Sequence, residues 1–421
     1  MAWITMAHIC IVSQYFIPDI GGAVTRLVNL LKILNSLDHE VTIVTTVPHY
    51  PNGDIPINYR TRWKFIEKSG NITVIRIRMP QRPHNSFLNR LINYFSFVFL
   101  SISALPLLGK IDLIWVTSPN FFGNFTGVIY KVVKRIPLIL NVDDFWPDVV
   151  EELGIVTSRL LLKISDFANL FVFNYCDYIT PISLMIKKKL ITKYHVNPTK
   201  IYVIEVGVDY PRFMQAIHES KEGISIKQEK RHFSLSDPQP LIVYSGVLGP
   251  AYDFELLLKA TKKLETEVDT FQLIIHGDGP LKPFIETYIS KIGLKRTKLL
   301  TNHLTFNDYM NFLLNAFIFV LPMKKGVFSE TAIPAKLFTY LMLDKPIIST
   351  KGGNIEIILK ESNAGFAVPH NYKSLTQALK LLLKDDVLYT HFCGNGSKYA
   401  RSHFDLKVIK KKVKSLFIEL K

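Results

Sequence analysis

A basic loop followed by a helix is the stretch of this sequence best suited to binding an anion. An apolar strand at residues 319–321 runs into MKKGVFSETAIPAK, and a helix is predicted from Pro334 to about Leu343. The free N–H groups of a helix N-terminus favour a negative charge, and nearby lysine amines add to that preference. The stretch therefore predicts an anion site, and its candidate residues are Lys324, Lys325, Glu330 and Lys336. Surface lysines beside a capped helix are the alternative explanation.

Three acids around a tryptophan form a second candidate site. The stretch NVDDFWPDVVEELG at residues 141–154 follows a predicted strand and carries Asp143, Asp144 and Asp148 beside Trp146. Carboxylates accept hydrogen bonds from sugar hydroxyls, and an aromatic ring can stack on the apolar face of a sugar. Taken alone, however, the stretch is better explained as a helix N-terminus whose acids complement the helix dipole.

Glycine-rich turns follow several predicted strands, where they would let a ligand approach the backbone. Gly21 and Gly22 precede a helix, and Gly246 opens the loop SGVLG before another. Gly277 and Asp278 stand in HGDGP after the next strand and would form a wall against a base or ribose. A helix start that follows such a turn can receive a phosphate. Each turn is also explained as an ordinary tight turn, so none predicts a ligand by itself.

The elements that would position these loops alternate between short apolar β-rich runs and helical patterns. The predicted strands are residues 7–12, 41–46, 72–78, 111–117, 137–142, 178–180, 200–206, 241–244, 271–275, 298–300, 317–321 and 346–349. This alternation predicts an α/β fold with two Rossmann-like, doubly wound domains that face one another across a cleft. Ligands of such sheets bind beyond the carboxyl ends of the strands. Neither half carries GxGxxG after its first strand, which argues against a simple dinucleotide dehydrogenase.

Domain boundaries are predicted where the alternation stops. Residues 214–239 are polar and lack a period, so we interpret them as a linker or insertion at the start of the second domain. The domains are then residues 1–210 and 211–400. Residues 401–421 include the amphipathic DLKVIKKKVKSLFIELK, predicted to be a helix that packs across both domains.

Composition limits the class of partner. The chain has 421 residues and a formal net charge of +16, which favours an anionic partner such as a phosphorylated substrate, a membrane surface or nucleic acid. The case for a nucleic-acid partner rests on charge alone, because the sequence has no recognised nucleic-acid-binding module. We therefore set this partner aside. Three separated cysteines indicate a reducing cytoplasm and no zinc site. The apolar start lacks a basic leader region and is interpreted as a strand and not a signal peptide.

One apolar stretch, LINYFSFVFLSISALPLL at residues 91–108, has about the minimum length of a membrane span. Asn93 and Pro106 interrupt it, so a buried or membrane-surface helix is predicted instead. Four arginines just before it would suit a surface rich in anionic lipid. These are Arg76, Arg78, Arg82 and Arg90.

The joint order of these motifs resembles the retaining glycosyltransferases of family 4, which have the GT-B fold. Within that family the chain is most similar to the WbuB-like sugar transferases of surface polysaccharide assembly. The matching stretches cover nearly the whole chain. They are SQYFIPDIGGAVTR at 13–26, HEVTIVT and PHYPNG within 39–53, DDFWPD at 143–148, HGDGPLK at 276–282, TAIPAKLFTYLMLDKPII at 331–348 and AGFAVP at 364–369.

The resemblance implies that the second domain binds a nucleotide-diphosphate sugar and the first binds a glycan acceptor. Transfer would retain configuration and need no metal or other cofactor, because cations and helix N-termini stabilise the charge on the leaving diphosphate. The implied donor-binding residues are Gly21, Gly22, Gly246, Gly277, Asp278, Lys324, Lys325, Glu330, Thr331, Lys336 and Thr339. The implied acceptor-binding residues are Asp19, Asp143 and Trp146, with Asp144 as the candidate catalytic group.

The resemblance also implies a setting for the reaction. The expected acceptor is a glycan linked to polyprenyl phosphate, held at the cytoplasmic face of the cell membrane by a peripherally bound enzyme. The product would enter a cell-surface polysaccharide or a glycan destined for protein.

Three departures from the family pattern keep other functions open. Thr339 stands where relatives carry a glutamate that holds the donor ribose, and the loss of its charge is worth about 1–2 kcal/mol. Pro250, Ala251 and Tyr252 replace a basic pair, and VIEVGVD at 203–209 replaces the usual IPNGVD. A non-catalytic partner subunit of the same fold is therefore an alternative. A sugar-nucleotide epimerase is another, although such enzymes lack the IPAKLFTY arrangement.

Overall fold

The computed structural model describes residues 6–19, 21–49, 53–80, 87–117, 122–154, 156–226, 239–302 and 304–420. The chain divides into two compact units. The first comprises Met1–Gly207 together with Leu406–Lys421, and the second comprises Val208–Asp405.

A seven-stranded sheet forms the centre of the first unit. Its strands are β1 His8–Val12, β2 Glu40–Thr46, β3 Lys64–Ser69, β4 Ile72–Ile77, β5 Leu113–Thr117, β6 Leu138–Val142 and β7 Tyr178–Pro181. They lie in the order β3-β4-β2-β1-β5-β6-β7, and every pair is parallel except β3 with β4. All residues of β5 and β6 are buried, as expected for parallel strands covered on both faces.

Helices cover this sheet. They are α1 Gly22–Asn35, α2 Phe87–Ser101, α3 Gly123–Lys134, α4 Asp148–Glu152, α5 Arg159–Tyr175 and α6 Leu184–Tyr194. The leucines of α1 are buried in the core, where Leu27, Leu31 and Leu34 meet the sheet. The C-terminal helix α17, Leu406–Glu419, packs into the same core through Val413 and Leu416.

A six-stranded, fully parallel sheet forms the centre of the second unit. Its strands are β8 Leu241–Ser245, β9 Gln272–His276, β10 Thr297–Leu300, β11 Ile318–Leu321, β12 Ile347–Thr350 and β13 Gly365–Val368, in the order β10-β9-β8-β11-β12-β13. Its helices are α7 Tyr210–Ile226, α8 Phe254–Leu264, α9 Lys282–Lys291, α10 Phe306–Leu314, α11 Val327–Thr331, α12 Ala335–Met342, α13 Gly353–Ser362, α14 Tyr372–Lys384, α15 Asp386–Phe392 and α16 Asn395–His403.

The structure differs from the predicted elements in a few places. The strand expected at residues 200–206 is wrong, because there Ile201 forms only an isolated bridge to Ile179. The segment 214–239 begins within α7, and residues 227–238 lie outside the described part of the chain. The edge strands β3 and β13 were not predicted, because β3 is largely exposed and β13 is only four residues long.

The apolar stretch at 91–108 forms the end of α2 and a 3-10 turn, Ile102–Leu107. None of the described helices combines the length and apolarity that crossing a bilayer requires. The expectation that Arg76 faces lipid is wrong, because it is 3% exposed and donates to Glu67 and to the Ile17 carbonyl. Arg82 lies outside the described residues.

Candidate functional site

Two glycine turns of the second unit touch one another at the carboxyl ends of β8 and β9. Gly246 donates its N–H to the His276 carbonyl at 2.9 Å. Gly277 has φ +141°, and a Cβ placed on it would lie 2.0 Å from the Gly246 carbonyl oxygen. Only glycine fits this close approach, so the two turns pack backbone to backbone at the edge where parallel sheets bind ligands.

The amine of Lys336 is brought against these turns by the first turn of α12. Its Nζ donates to the Tyr244 hydroxyl at 2.6 Å and lies 4.0 Å from the ring centroids of both Tyr244 and Tyr252. A Cβ on Gly246 would come within 2.6 Å of the same Nζ. Burial lowers the pKa of Lys336 to about 7, and among the described residues no carboxylate pairs with it. The site thus holds an amine whose protonated form an incoming anion would stabilise and pair with.

Tyr340 fixes the register of α12 on the sheet. Its hydroxyl accepts from the Ser245 N–H at 2.8 Å and donates to the Ser245 carbonyl at 3.2 Å, and its ring stacks on Phe319 at 4.0 Å. The Ser245 hydroxyl lies 3.0 Å from His276 Nδ1. These contacts hold the end of β8 and the start of α12 together, which sets the position of Lys336.

The basic loop before α12 is ordered mainly by backbone contacts. Lys324 donates its N–H to the Ala251 carbonyl at 2.9 Å, and the side chains of Lys324, Lys325 and Glu330 are exposed. Asn354 donates to the Glu330 and Thr331 carbonyls at 3.2 and 2.9 Å.

Three predicted donor-binding residues differ in exposure and in the hydrogen bonds that they form. The Thr331 side chain is buried and its hydroxyl donates to the Val327 carbonyl at 2.7 Å, which gives it a role within α11. Thr339 lies one helical turn after Lys336 and is partly exposed. The exposed carboxylate of Asp278 accepts from the Gly279 N–H at 2.8 Å and so caps its own turn.

In the first unit, Asp143 is engaged by a buried arginine. Arg26 is 5% exposed and forms an ion pair with the Asp143 carboxylate, which also accepts from Asn141 at 2.9 Å. Arg26 further donates to the Thr180 and Ile204 carbonyls at 3.2 and 2.7 Å. Burial lowers the pKa of Arg26, and the Asp143 charge opposes that effect. Asp143 therefore joins α1 to the sheet, a role that the sequence did not suggest.

Asp144 is the exposed residue among the three aspartates of this stretch. Its side chain is exposed, yet desolvation by the surrounding protein, followed by repulsion from the Asp143 charge, raises its pKa to about 6. Trp146 is partly buried and packs on Val150, Val156 and Leu162.

The other predicted residues of the first unit also differ in exposure, because Asp19 is buried and the glycines at the start of α1 are not. Asp19 is buried and accepts from the His49 N–H at 2.9 Å, which ties two loops together. Gly21 is the N-cap of α1, and a Cβ on Gly22 would meet no atom within 4 Å, so this helix start is open. Within the described residues, no three His, Cys, Asp or Glu side chains cluster as a metal site would need.

The tyrosines near the Lys336 amine were not predicted from the sequence. Tyr244 and Tyr252 contact the Lys336 amine, although Tyr244 lies 92 residues away in sequence, and Tyr340 binds the Ser245 backbone beside them. A tyrosine at the end of a predicted strand was the available signal, but the same pattern is usual for core residues.

Comparison with known proteins agrees with this arrangement. Residues 20–212 match the family model "Glycosyltransferase Family 4", and residues 225–401 match "Glycosyl transferases group 1". The putative colanic acid biosynthesis glycosyl transferase WcaI of Escherichia coli (strain K12) is 23% identical over 379 residues, which is 87% of this chain and 89% of WcaI.

Two solved structures share the fold over the full length. Sucrose-phosphate synthase from Thermosynechococcus elongatus has a TM-score of 0.71 at 14% identity and covers 98% of this chain and 99% of its own. Anabaena HepE in complex with UDP has a TM-score of 0.69 at 14% identity and covers 98% and 100%. Because both halves match these families and the fold is shared throughout, the chain belongs to the family 4 glycosyltransferases of the GT-B fold, as the sequence predicted.

Proposed function

We propose that this chain is a retaining glycosyltransferase that moves a sugar from a nucleotide-diphosphate donor to a glycan acceptor. The observation that carries the proposal is the Lys336 amine, which lies beside the glycine turns that follow β8 and β9 without a carboxylate partner among the described residues. A diphosphate is the ligand that such a site favours, because it supplies the missing negative charge and accepts hydrogen bonds from N–H groups. HepE, which has the same fold, binds UDP.

The proposed chemistry follows from where charge develops. As the bond between sugar and diphosphate breaks, negative charge grows on the leaving phosphate, and a cation already aimed at it lowers the barrier. Lys336 would supply that cation, and the N-terminus of α12 would add a favourable dipole. Retaining transfer needs no side-chain nucleophile, since the leaving phosphate can take the acceptor proton. The reaction proposed here needs no metal ion.

The proposed acceptor is a glycan linked to polyprenyl phosphate at the cytoplasmic face of the cell membrane. WcaI is named for colanic acid biosynthesis, and the formal net charge of +16 suits an anionic surface. We propose the same broad role here, in polysaccharide assembly or in assembly of glycans for protein. Asp144, exposed and with a raised pKa, is the residue that we propose to contact the acceptor or sugar.

Calorimetric titration of the purified chain with UDP, GDP and dTDP tests the donor assignment. We expect one nucleotide to bind, and we expect Lys336→Ala to weaken it. Lys384→Ala serves as the matched control, because Lys384 is an exposed lysine at the end of α14, away from the carboxyl edge of the sheet. Equal binding by both variants would remove Lys336 from the donor site.

A second candidate function is that of a non-catalytic partner subunit. Two departures from the family pattern favour it. Thr339 replaces the glutamate of relatives, and Tyr252, whose ring lies 4.0 Å from the Lys336 amine, belongs to the stretch that replaces the basic pair. Nucleotide binding does not separate the two functions, because a partner subunit can keep its donor site. Product formation by the isolated chain does.

A further inference from the structure

The outer face of α5 is apolar along its whole length. Leu160, Ile164, Phe167 and Phe171 recur at helical spacing and form one stripe. Leu160 is 69% exposed, Ile164 54% and Phe167 73%, whereas the opposite side of the helix is buried in the unit. An amphipathic helix of a soluble domain normally turns such a stripe inward, so this helix has two apolar faces, one of which remains uncovered.

The uncovered face continues across neighbouring helices. The Phe171 ring stacks on Phe125 of α3 at 6.3 Å, and Phe122 at the start of α3 lies 4.5 Å from Phe95 of α2. Phe99, one turn beyond Phe95, is also exposed. A full aromatic side chain presents about 150–250 Å², so the band is on the order of several hundred Å², at or above the largest patch of a typical monomer. We call these residues of α2, α3 and α5 the apolar band.

Positive charge borders the apolar band. Arg159 and Lys163 are the exposed charged residues of α5, and they flank the stripe on one side. Asp166 is the only acid in α5, and Lys193 of α6 pairs with it at 2.8 Å.

That contact, together with Tyr194 donating to Asp166 at 2.6 Å, places α6 alongside α5. The helix α6 begins LMIKKK, and Lys188 is the exposed lysine of the three, because the Lys187 amine donates to the Ile201 carbonyl at 3.2 Å and the Lys189 amine lies 5.7 Å from the Phe145 ring.

We propose that the apolar band is the surface by which this protein docks on an anionic lipid bilayer. A bilayer interface takes large apolar side chains into its acyl boundary and attracts lysine and arginine to its phosphates, so it matches both features at once. A second copy of the chain matches only the first, because pairing two bands would bring their basic borders together in molecules that each carry +16. The inference rests on the proposed function for the lipid-linked acceptor, and it gives the surface on which that acceptor is met.

The docking surface overlaps only in part with the one that the sequence suggested, which was the apolar stretch at residues 91–108 with the arginines before it. There the arginines before residue 91 were expected to face lipid, but Arg76 is buried and paired. The structure assigns docking to α5 and its neighbours, and α2 contributes through Phe95 and Phe99.

Vesicle co-sedimentation of the full chain tests the proposal. The probes are vesicles of phosphatidylcholine alone and of phosphatidylcholine with phosphatidylglycerol, each at low and high salt. The test variant is Ile164→Gln with Phe167→Gln, which removes two exposed side chains and keeps good helix formers. The matched control is Val387→Gln, at an apolar position of the second unit that is 83% exposed. Because all three positions are exposed, the thermal melts should agree with that of the wild type.

We expect the wild type and the control to bind the anionic vesicles, more weakly in high salt. The double variant should bind them about tenfold less tightly or worse, since two large side chains no longer enter the interface. Equal binding by the double variant, or no binding by the wild type, would overturn the proposal. A concentration-dependent dimer that the double variant loses would also overturn it in favour of a second copy.

Nucleotide titration of the same samples separates this proposal from the proposed function. Intact nucleotide binding with no vesicle binding would overturn the docking surface and leave the donor site standing. Vesicle binding without affinity for any nucleotide would support the docking surface and count against the transferase.

Discussion

Replacing Lys336 by methionine should weaken nucleotide binding and abolish its dependence on pH. Methionine keeps the unbranched, apolar stem that packs between the rings of Tyr244 and Tyr252, and it removes the amine. Hydrogen bonds to charged groups contribute about 1.5–3 kcal/mol. We therefore expect an affinity loss of roughly 10- to 150-fold at neutral pH.

The pH dependence follows from the pKa of Lys336, which burial lowers to about 7. A bound diphosphate favours the protonated amine, so its pKa rises in the complex and binding takes up a proton. Above pH 7 the free protein must first protonate this amine, and the affinity should fall about tenfold per pH unit until the pKa of the complex is reached.

Stability of the unliganded protein should show the opposite trend. An unfolded lysine holds its proton up to about pH 10.4, whereas the folded site releases it near pH 7. The unfolded chain thus binds more protons between these values, and the free energy of unfolding should rise with pH across that window. We expect a rise on the order of 2 kcal/mol, allowing for the partial solvent contact of the amine, and no such rise in Lys336→Met.

Calorimetric titration between pH 6 and about pH 9, in buffers of different ionisation enthalpy, measures affinity and proton uptake together. Lys336→Arg stays charged throughout and should bind with little pH dependence, while Lys384→Met should behave as the wild type. A wild-type affinity that does not change with pH and survives Lys336→Met would refute the reasoning, because the amine would then not meet the diphosphate.

Three further substitutions test other parts of the structure. Gly277→Ala forces a Cβ to within 2.0 Å of a carbonyl oxygen and should lower stability by about 2 kcal/mol or more and abolish nucleotide binding, whereas Gly22→Ala, which meets no atom, should change the melting temperature little. Thr339→Glu should tighten nucleotide binding by about 1–2 kcal/mol in calorimetry if this face of α12 meets the ribose, and an unchanged affinity would place the ribose elsewhere. Arg26→Met leaves the Asp143 carboxylate without its ion-pair partner and should cost about 3–5 kcal/mol in urea denaturation at neutral pH, and an unchanged free energy of unfolding would contradict the ion pair.

Much of the fold was predictable because parallel strands buried on both faces must be continuous apolar runs. LIWVT and LILNV, for example, are recognisable as strands from composition alone. Elements without that requirement were missed. KFIEKS pairs only along one edge of β4 and is largely exposed, so its sequence resembles a loop.

The candidate site was predictable only in part, because its geometry depends on contacts between distant segments. The sequence indicated Lys336 and the glycine turns, but not that Tyr244 and Tyr252 enclose the amine and lower its pKa. For Asp143, residue type suggested a sugar contact. Its partner Arg26 lies 117 residues earlier, and no local pattern connects the two.

The most direct test of the account is transfer by the isolated chain. The chain would be incubated with radiolabelled UDP-, GDP- and dTDP-sugars and a polyprenyl-phosphate glycan fraction, and the labelled lipid product measured for wild type, Lys336→Met and Lys384→Met. We expect product from one donor, lost in Lys336→Met and retained in Lys384→Met. A nucleotide that binds at Lys336 with no product from any donor would contradict this expectation and favour the partner subunit.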